Sequence, residues 1–317
     1  MATAALSSVE VDQHAERVMA RHAKTFYWAN RLMPAEYRRD LWNVYAFCRG
    51  ADDAADETPD RAEARALIER MRGEVLREKS DDPSLAGFLD VVRRRRMPLS
   101  IPLELLAGVE SDIGAVRIPD ERELLRYAYR VASTVGLMVC HVTGVQSAQA
   151  HAYAIDLGLA MQLTNIARDV AEDFDNDKVY LPATWIAPTR VEAAVRGDSA
   201  ARRETEAAVQ RLLALADRHY RSSDYGIRYL PRWSRWGILT ARRCYEAIGG
   251  VITARGLRYW DGRCATGKAG KAVRTAGALA ATLLVPKYAA WGRARPHDPA
   301  LHVALEGLPG ANAGGAA

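Results

Sequence analysis

The segment GLAMQLTNIARDVAEDFDNDKVYLP, Gly158 to Pro182, decides how this chain is read. Its first half is apolar at steps of three and four, which predicts a helix with a buried face. Its second half keeps the helical step but changes chemistry. Asn165, Asp169 and Asp173 stand four apart, so on a helix they share one face, with Cβ atoms about 6 Å apart. Stacked carboxylates repel each other, and one D-x-x-x-D spacing by itself reads as a solvated helix end. The preceding run, Leu157 to Leu163, is too apolar for a surface helix. The acids are therefore expected to face an interior cavity, where clustered carboxylates require cations.

The arrangement recurs in YAFCRGADDAADE, Tyr45 to Glu57. Asp52 and Asp56 lie four apart behind the apolar LWNVYAFC, and Asp53 turns aside with Glu57. The acids and Asn165 of both sets offer oxygen donors, which favours Mg²⁺ or Mn²⁺ over zinc. Magnesium keeps waters and shares its shell with phosphate oxygens, so two such carboxylate pairs across a helical cavity would clamp a diphosphate. Arg49, Arg168 and Lys178 are near enough in sequence to add positive charge to that clamp.

The remaining chain predicts an all-α fold. Ala, Leu, Arg and Glu dominate, and alternating strand-like runs between Asn-Gly or Asp-Gly turns are missing. Prolines at 34, 59, 83, 98, 102, 119, 182, 188 and 231 divide it into roughly eight to ten helices with short links. At 317 residues and 49% apolar content the chain can bury a substantial core. No linker separates domains, so residues 1–295 read as one helical domain and residues 296–317 as an irregular, partly disordered tail.

The net charge of +5 arises from Lys and Arg scattered among nearly as many acids, which argues for anionic small ligands and against nucleic acid. Cys48, Cys140, Cys244 and Cys264 lack the spacing of a zinc site or a disulfide framework and fit a reducing cytoplasm. The N-terminal segment lacks the order of a secretory signal. The apolar tract from Ala276 meets Lys287 after about a dozen residues, short of the roughly 20 that cross a bilayer, so it would touch the inner face of the cell membrane at most. The Arg93 to Arg96 run reads as a solvated helix face in preference to a lipid-docking patch, and His141 and His151 as helix histidines in preference to ligands.

Four motifs in this order resemble the squalene and phytoene synthases, the head-to-head prenyl transferases, over about residues 18 to 290. HAKTFYWANRLMP resembles that family's opening segment, and YAFCRGADDAADE its first aspartate-rich motif. YAYRVASTVGLMVCHVTG resembles its central tyrosine helix, and AMQLTNIARDVAEDFDNDKVYLP its second aspartate-rich motif. The resemblance implies an isoprenoid-synthase helical bundle with the two motifs on opposing helices. It also implies Mg²⁺ or Mn²⁺ at Asp52, Asp56, Asn165, Asp169 and Asp173, with Gln162 beside them. Arg49, Arg168, Lys178 and Tyr180 match positions that meet diphosphate, and His22, Lys24, Thr25 and Phe26 match a flap beside the first substrate. Tyr45 and Tyr129 match cavity residues near the reacting carbons and Tyr245 matches another, while Tyr127 reads as packing.

The activity so implied joins two allylic prenyl diphosphates through a cyclopropyl diphosphate and then releases the second diphosphate. The segment from His219 to Ile252 resembles the phytoene-forming members, which use two geranylgeranyl diphosphates and no NADPH. Squalene or presqualene diphosphate formation from farnesyl diphosphate is the nearest rival. A class I terpene cyclase would act on one chain, and a non-catalytic helical protein that binds lipid or a partner would tolerate loss of its acids. Ser133 stands where the family commonly has Gly, and LRYWDGRCATGK matches its late segment loosely.

Overall fold

The computed structural model describes residues 8–22, 33–260, 268–285, 288 and 295–311, nearly all of the regular structure being helical. Residues Met1–Ile113 with Leu137–Gln146 form one compact unit, and Gly114–Gly136 with Ser147–Ala317 form a second.

The first unit contains α1 (Ser8–His22), α2 (Ala35–Asp56), α3 (Arg61–Arg77), α4 (Pro83–Arg95) and α5 (Ser100–Ser111). The prolines act as the sequence predicts. Asp82 caps α4 by accepting the Leu85 amide, and Pro83 occupies the first turn, where no amide hydrogen is needed. Asp60 caps α3 through the Ala62 and Glu63 amides. On α2 the spacing of Val44, Phe47 and Ala51 makes one buried stripe. Phe47 stacks on Phe88 of α4 with ring centroids 4.0 Å apart. Gly87 permits that approach, since a Cβ there would lie 2.0 Å from Asn43 Oδ1 and 2.6 Å from Val11 Cγ1.

In the arginine run at the end of α4, Arg93, Arg94 and Arg96 are exposed, as expected of a solvated face. Arg94 and Arg95 reach the buried Asp40 of α2 at 2.8 and 2.6 Å. A buried carboxylate must be paired, and these two guanidiniums supply the pairing. The partners are 54 and 55 residues apart, so no local pattern announces them.

The second unit contains α6 (Glu121–Ala128), a π-helical turn (Tyr129–Ser133), the start of α7 (Thr134–Val142), α8 (Ala148–Asp175), α9 (Pro188–Val195), α10 (Ser199–Ser223), a 3₁₀ turn (Asp224–Tyr229), α11 (Arg232–Ala254) and α12 (Lys268–Leu284). Its long central helix is α8, against which α10, α11 and the π turn pack. Ser133 sits in the π turn, fully buried, and donates its hydroxyl to the Ile155 carbonyl at 2.8 Å. The backbone of Ala132 and Ser133 lies where a Cβ on Gly158 would stand, 2.5 to 2.8 Å away. The serine is thus accommodated by a glycine on the facing helix and by a satisfied hydroxyl.

Two short strands, β1 (Val116–Arg117) and β2 (Lys178–Val179), pair in parallel directly after α8. Two-residue strands do not alter the all-α class, but they pin the chain that carries Lys178 and Tyr180.

The described part of the tail, 295–311, departs from the expected irregular segment. Pro299–Leu305 is a 3₁₀ helix capped by Asp298, and His302, Leu305, Leu308 and Ala311 are buried. Its anchors are polar and distant: Arg126 donates to the Ala304 and Glu306 carbonyls, and Gln149 to the Arg295 carbonyl at 2.9 Å. A 3₁₀ helix has a three-residue turn, so the apolar spacing of an α-helix is missing from its sequence. Among the described residues no helix is long and apolar enough to cross a membrane.

Candidate active site

The acids of the first unit lie on the last turns of α2. Tyr45, half-buried, packs on the cluster of Ala15, Met19, Trp42 and Ala46, and burial raises its hydroxyl pKa. One turn later Arg49 pairs with Asp53 and, at 3.3 Å, with Glu57. The family match assigns Arg49 to diphosphate; in this structure it neutralises the two acids outside the D-x-x-x-D face. Asp52 and Asp56 keep their shared face. Asp52 is reachable by solvent yet crowded by protein, and that crowding, followed by the negative charge of Asp56, pushes its carboxyl up to about 7 while Arg49 works the other way.

The acids of the second unit follow the buried stripe of α8. Arg168 grips its neighbour Asp169 with both arms of the guanidinium, Nε donating to Oδ1 at 2.7 Å and Nη2 to Oδ2. Burial works against the Arg168 charge, and the Asp169 carboxylate outweighs it, so the arginine is held protonated. Tyr245 of α11 lies close enough to Arg168 to add to that effect. Asn165 donates its amide to Gln162 Oε1 at 3.3 Å, and its own Oδ1 is buried without a hydrogen-bond partner among the described residues. An orphaned buried carbonyl oxygen is costly in an apolar setting and suits a hard cation. Together with Asp169 and Asp173 at four-residue steps, this oxygen-only donor set fits magnesium.

Asp173 continues into a small pocket with Lys178 and Tyr180, walled by Ile166, Val170 and Val191. Tyr180 stacks on Tyr127 at 4.8 Å, which gives Tyr127 the packing role expected of it. The resemblance matches Tyr129 to a cavity position near the reacting carbons. Its side chain is fully buried and its hydroxyl donates to the Pro309 carbonyl in the tail, so that hydroxyl is engaged in holding the tail. His22 ends α1 at an exposed position, and Lys24, Thr25 and Phe26 lie outside the described residues.

Two buried polar clusters escaped the reading of the sequence. Arg242 lies 2.7 Å from Asp224 and 2.6 Å from Glu246. Deeper in the unit, Asp156 of α8 is surrounded by His219, His297 and His302. The signal was present in AYAIDLGLAM, where a charged residue interrupts an otherwise apolar run.

Comparison with known proteins places this geometry. Residues 19–269 match the model of the squalene/phytoene synthase family. A phytoene synthase from Pseudescherichia vulneris is 35% identical over 274 residues, covering 81% of this chain and 87% of the relative. A 15-cis-phytoene synthase from Enterobacter agglomerans is 34% identical over 255 residues, covering 77% and 86%. Among solved structures, a dehydrosqualene synthase superposes with a TM-score of 0.76 at 23% identity, covering 86% of this chain and 96% of its own. A squalene synthase from Alicyclobacillus acidocaldarius gives 0.69 at 20% identity, covering 78% and 95%. At those identities the structures establish the fold.

Proposed function

We propose, for a chain that belongs to the squalene/phytoene synthase family, that it is a phytoene synthase. It joins two geranylgeranyl diphosphates head to head, through a cyclopropyl diphosphate, to phytoene, with loss of two diphosphates and two protons, one on closure of the cyclopropane and one at the last step. The observation that carries this reading is the similarity to bacterial phytoene synthases across most of both chains.

Asp52 and Asp56 in the first unit, and Asn165, Asp169 and Asp173 in the second, would hold Mg²⁺. When bound, the metal supplies Lewis-acid pull on the diphosphate oxygens, which makes diphosphate a better leaving group. Arg168 and Lys178 add fixed positive charge to the oxygens, with Tyr180 beside them, and Arg49 holds Asp53 and Glu57 away from the ligand face. The cations formed along the path need dry apolar walls and aromatic faces, a requirement that the apolar stripe of α8, Tyr45 and Tyr245 can meet. A proton lost at the last step passes to released diphosphate.

The product is wholly apolar and must leave toward lipid. Val273, Leu279, Leu283 and Leu284 of α12 are exposed, which supports contact of this helix with a membrane surface. Purified protein incubated with Mg²⁺ and geranylgeranyl diphosphate, without NADPH, is expected to yield a C40 hydrocarbon. A C30 hydrocarbon from farnesyl diphosphate, with none from the longer substrate, would overturn this reading.

A further inference from the structure

The buried cluster around Asp156 has a chemistry unlike that of the aspartate-rich faces. Asp156 and Asp169 are both on α8, 13 residues apart in sequence, or roughly 20 Å along the axis. At Asp156 the donors are nitrogen and oxygen. His297 Nε2 lies 2.8 Å from Oδ2, His302 Nε2 lies 3.1 Å from Oδ1, and His219 Nδ1 lies 2.8 Å from Oδ1. One donor atom each from Asp156, His297 and His302 falls within 4.8 Å of the other two. The side chains are sealed from water, at 0% exposure for Asp156 and 3% for each of the two histidines.

The second nitrogen of His302 limits what its first can be. Nδ1 faces the Ala311 carbonyl at 3.3 Å, and a carbonyl only accepts, so Nδ1 carries the hydrogen. In the neutral ring Nε2 then presents a lone pair, and that lone pair faces a carboxylate. The juxtaposition requires a positive charge, either a proton on the ring or a cation among the three side chains. A ring nitrogen bound to a backbone carbonyl behind a second nitrogen aimed at a shared centre is the outer-shell pattern of metal-bound histidines. His219 adds to it through Nδ1, which lies 2.8 Å from the same carboxylate oxygen, Oδ1, that His302 approaches.

We propose that Asp156, His297 and His302 bind a divalent transition ion of the zinc class, positioned by His219 and the Ala311 carbonyl, and that this ion staples the C-terminal segment onto α8. Two imidazoles and one carboxylate form the donor set that such ions take with a fourth position left for water. The tail supplies both imidazoles and α8 supplies the carboxylate, so a bound ion closes a loop of more than 140 residues.

The test uses the full, untagged chain. Protein purified without chelators is expected to retain stoichiometric zinc by elemental mass spectrometry. Chelator-stripped protein titrated with Co²⁺ is expected to develop the intense visible absorption of four-coordinate nitrogen-bound cobalt, whereas an octahedral all-oxygen site absorbs weakly. His302→Gln and His297→Gln, each verified as folded by circular dichroism, should lose the intense band. His219→Gln should weaken cobalt binding roughly 10- to 100-fold, and Asp173→Asn should leave the band intact. No zinc and no intense band in the wild-type chain, or a band that survives both tail substitutions, would overturn the proposal and leave a proton-mediated histidine–carboxylate network.

Discussion

The two acidic segments look alike as sequence and differ in how their charge is managed. On α2 the guanidinium of Arg49 turns to Asp53 and Glu57, the two acids outside the Asp52 and Asp56 face. On α8 the guanidinium of Arg168 is bonded to Asp169, a member of the face itself. Arg49 meets Asp53 at the four-residue spacing that brings helix side chains together, whereas Arg168 reaches the acid next to it in sequence, a pairing that helix spacing does not favour. The first segment thus keeps its arginine off the D-x-x-x-D face, and the second places one on it.

The largest effects test what the segments share. Asp52→Ala and Asp169→Ala should each lower the rate of product formation by on the order of 10²- to 10³-fold, measured as hydrocarbon released from geranylgeranyl diphosphate under saturating Mg²⁺. If either variant keeps near-normal turnover, its segment is not part of the metal clamp.

The next effect separates them by pH. The Asp52 carboxyl is raised from 3.8 to about 7. Its protonated form therefore contributes stability to the metal-free protein fully below 3.8, and that contribution disappears as pH rises through about 7. Magnesium binds the ionised form, so its apparent affinity at Asp52 should fall about tenfold for each pH unit below 7. Isothermal titration between pH 5 and 8 reads this slope, and a flat profile would show that Asp52 is not a ligand.

Stability should then respond in opposite directions. In metal-free protein at pH 8, Asp52→Asn mimics the neutral acid and should raise the melting temperature. Asp169→Asn strips Arg168 of its charged partner and should cost about 2 kcal/mol in chemical denaturation. Equal signs for the two variants would erase the distinction drawn here. Smallest of all, Asp53→Asn disturbs a partly exposed ion pair and should change stability by less than about 1 kcal/mol.

Much of the helical layout was legible because its determinants are local. Asp82-Pro83 signals a cap and a first turn, and the four-residue step of Asn165, Asp169 and Asp173 follows from helix geometry alone. The pairing of Arg94 and Arg95 with Asp40 was not legible, because Asp40 is a distant residue on another helix. Tyr129 matched a cavity position, but its hydroxyl meets Pro309, 180 residues away. The tail was unreadable for the same reason, being held by Tyr153, Gln149 and Arg126 from far earlier in the chain.

What the sequence determined by itself is the set of properties that depend on neighbours within a turn or two: helix, caps, the acidic faces, and the family those faces belong to. Tertiary structure alone decided which guanidinium each acid receives, where a π turn falls, and that three histidines converge on Asp156. The physical reason is that helical periodicity is written at intervals of three and four residues, whereas the pairing of a buried charge is chosen by whatever the fold brings to it.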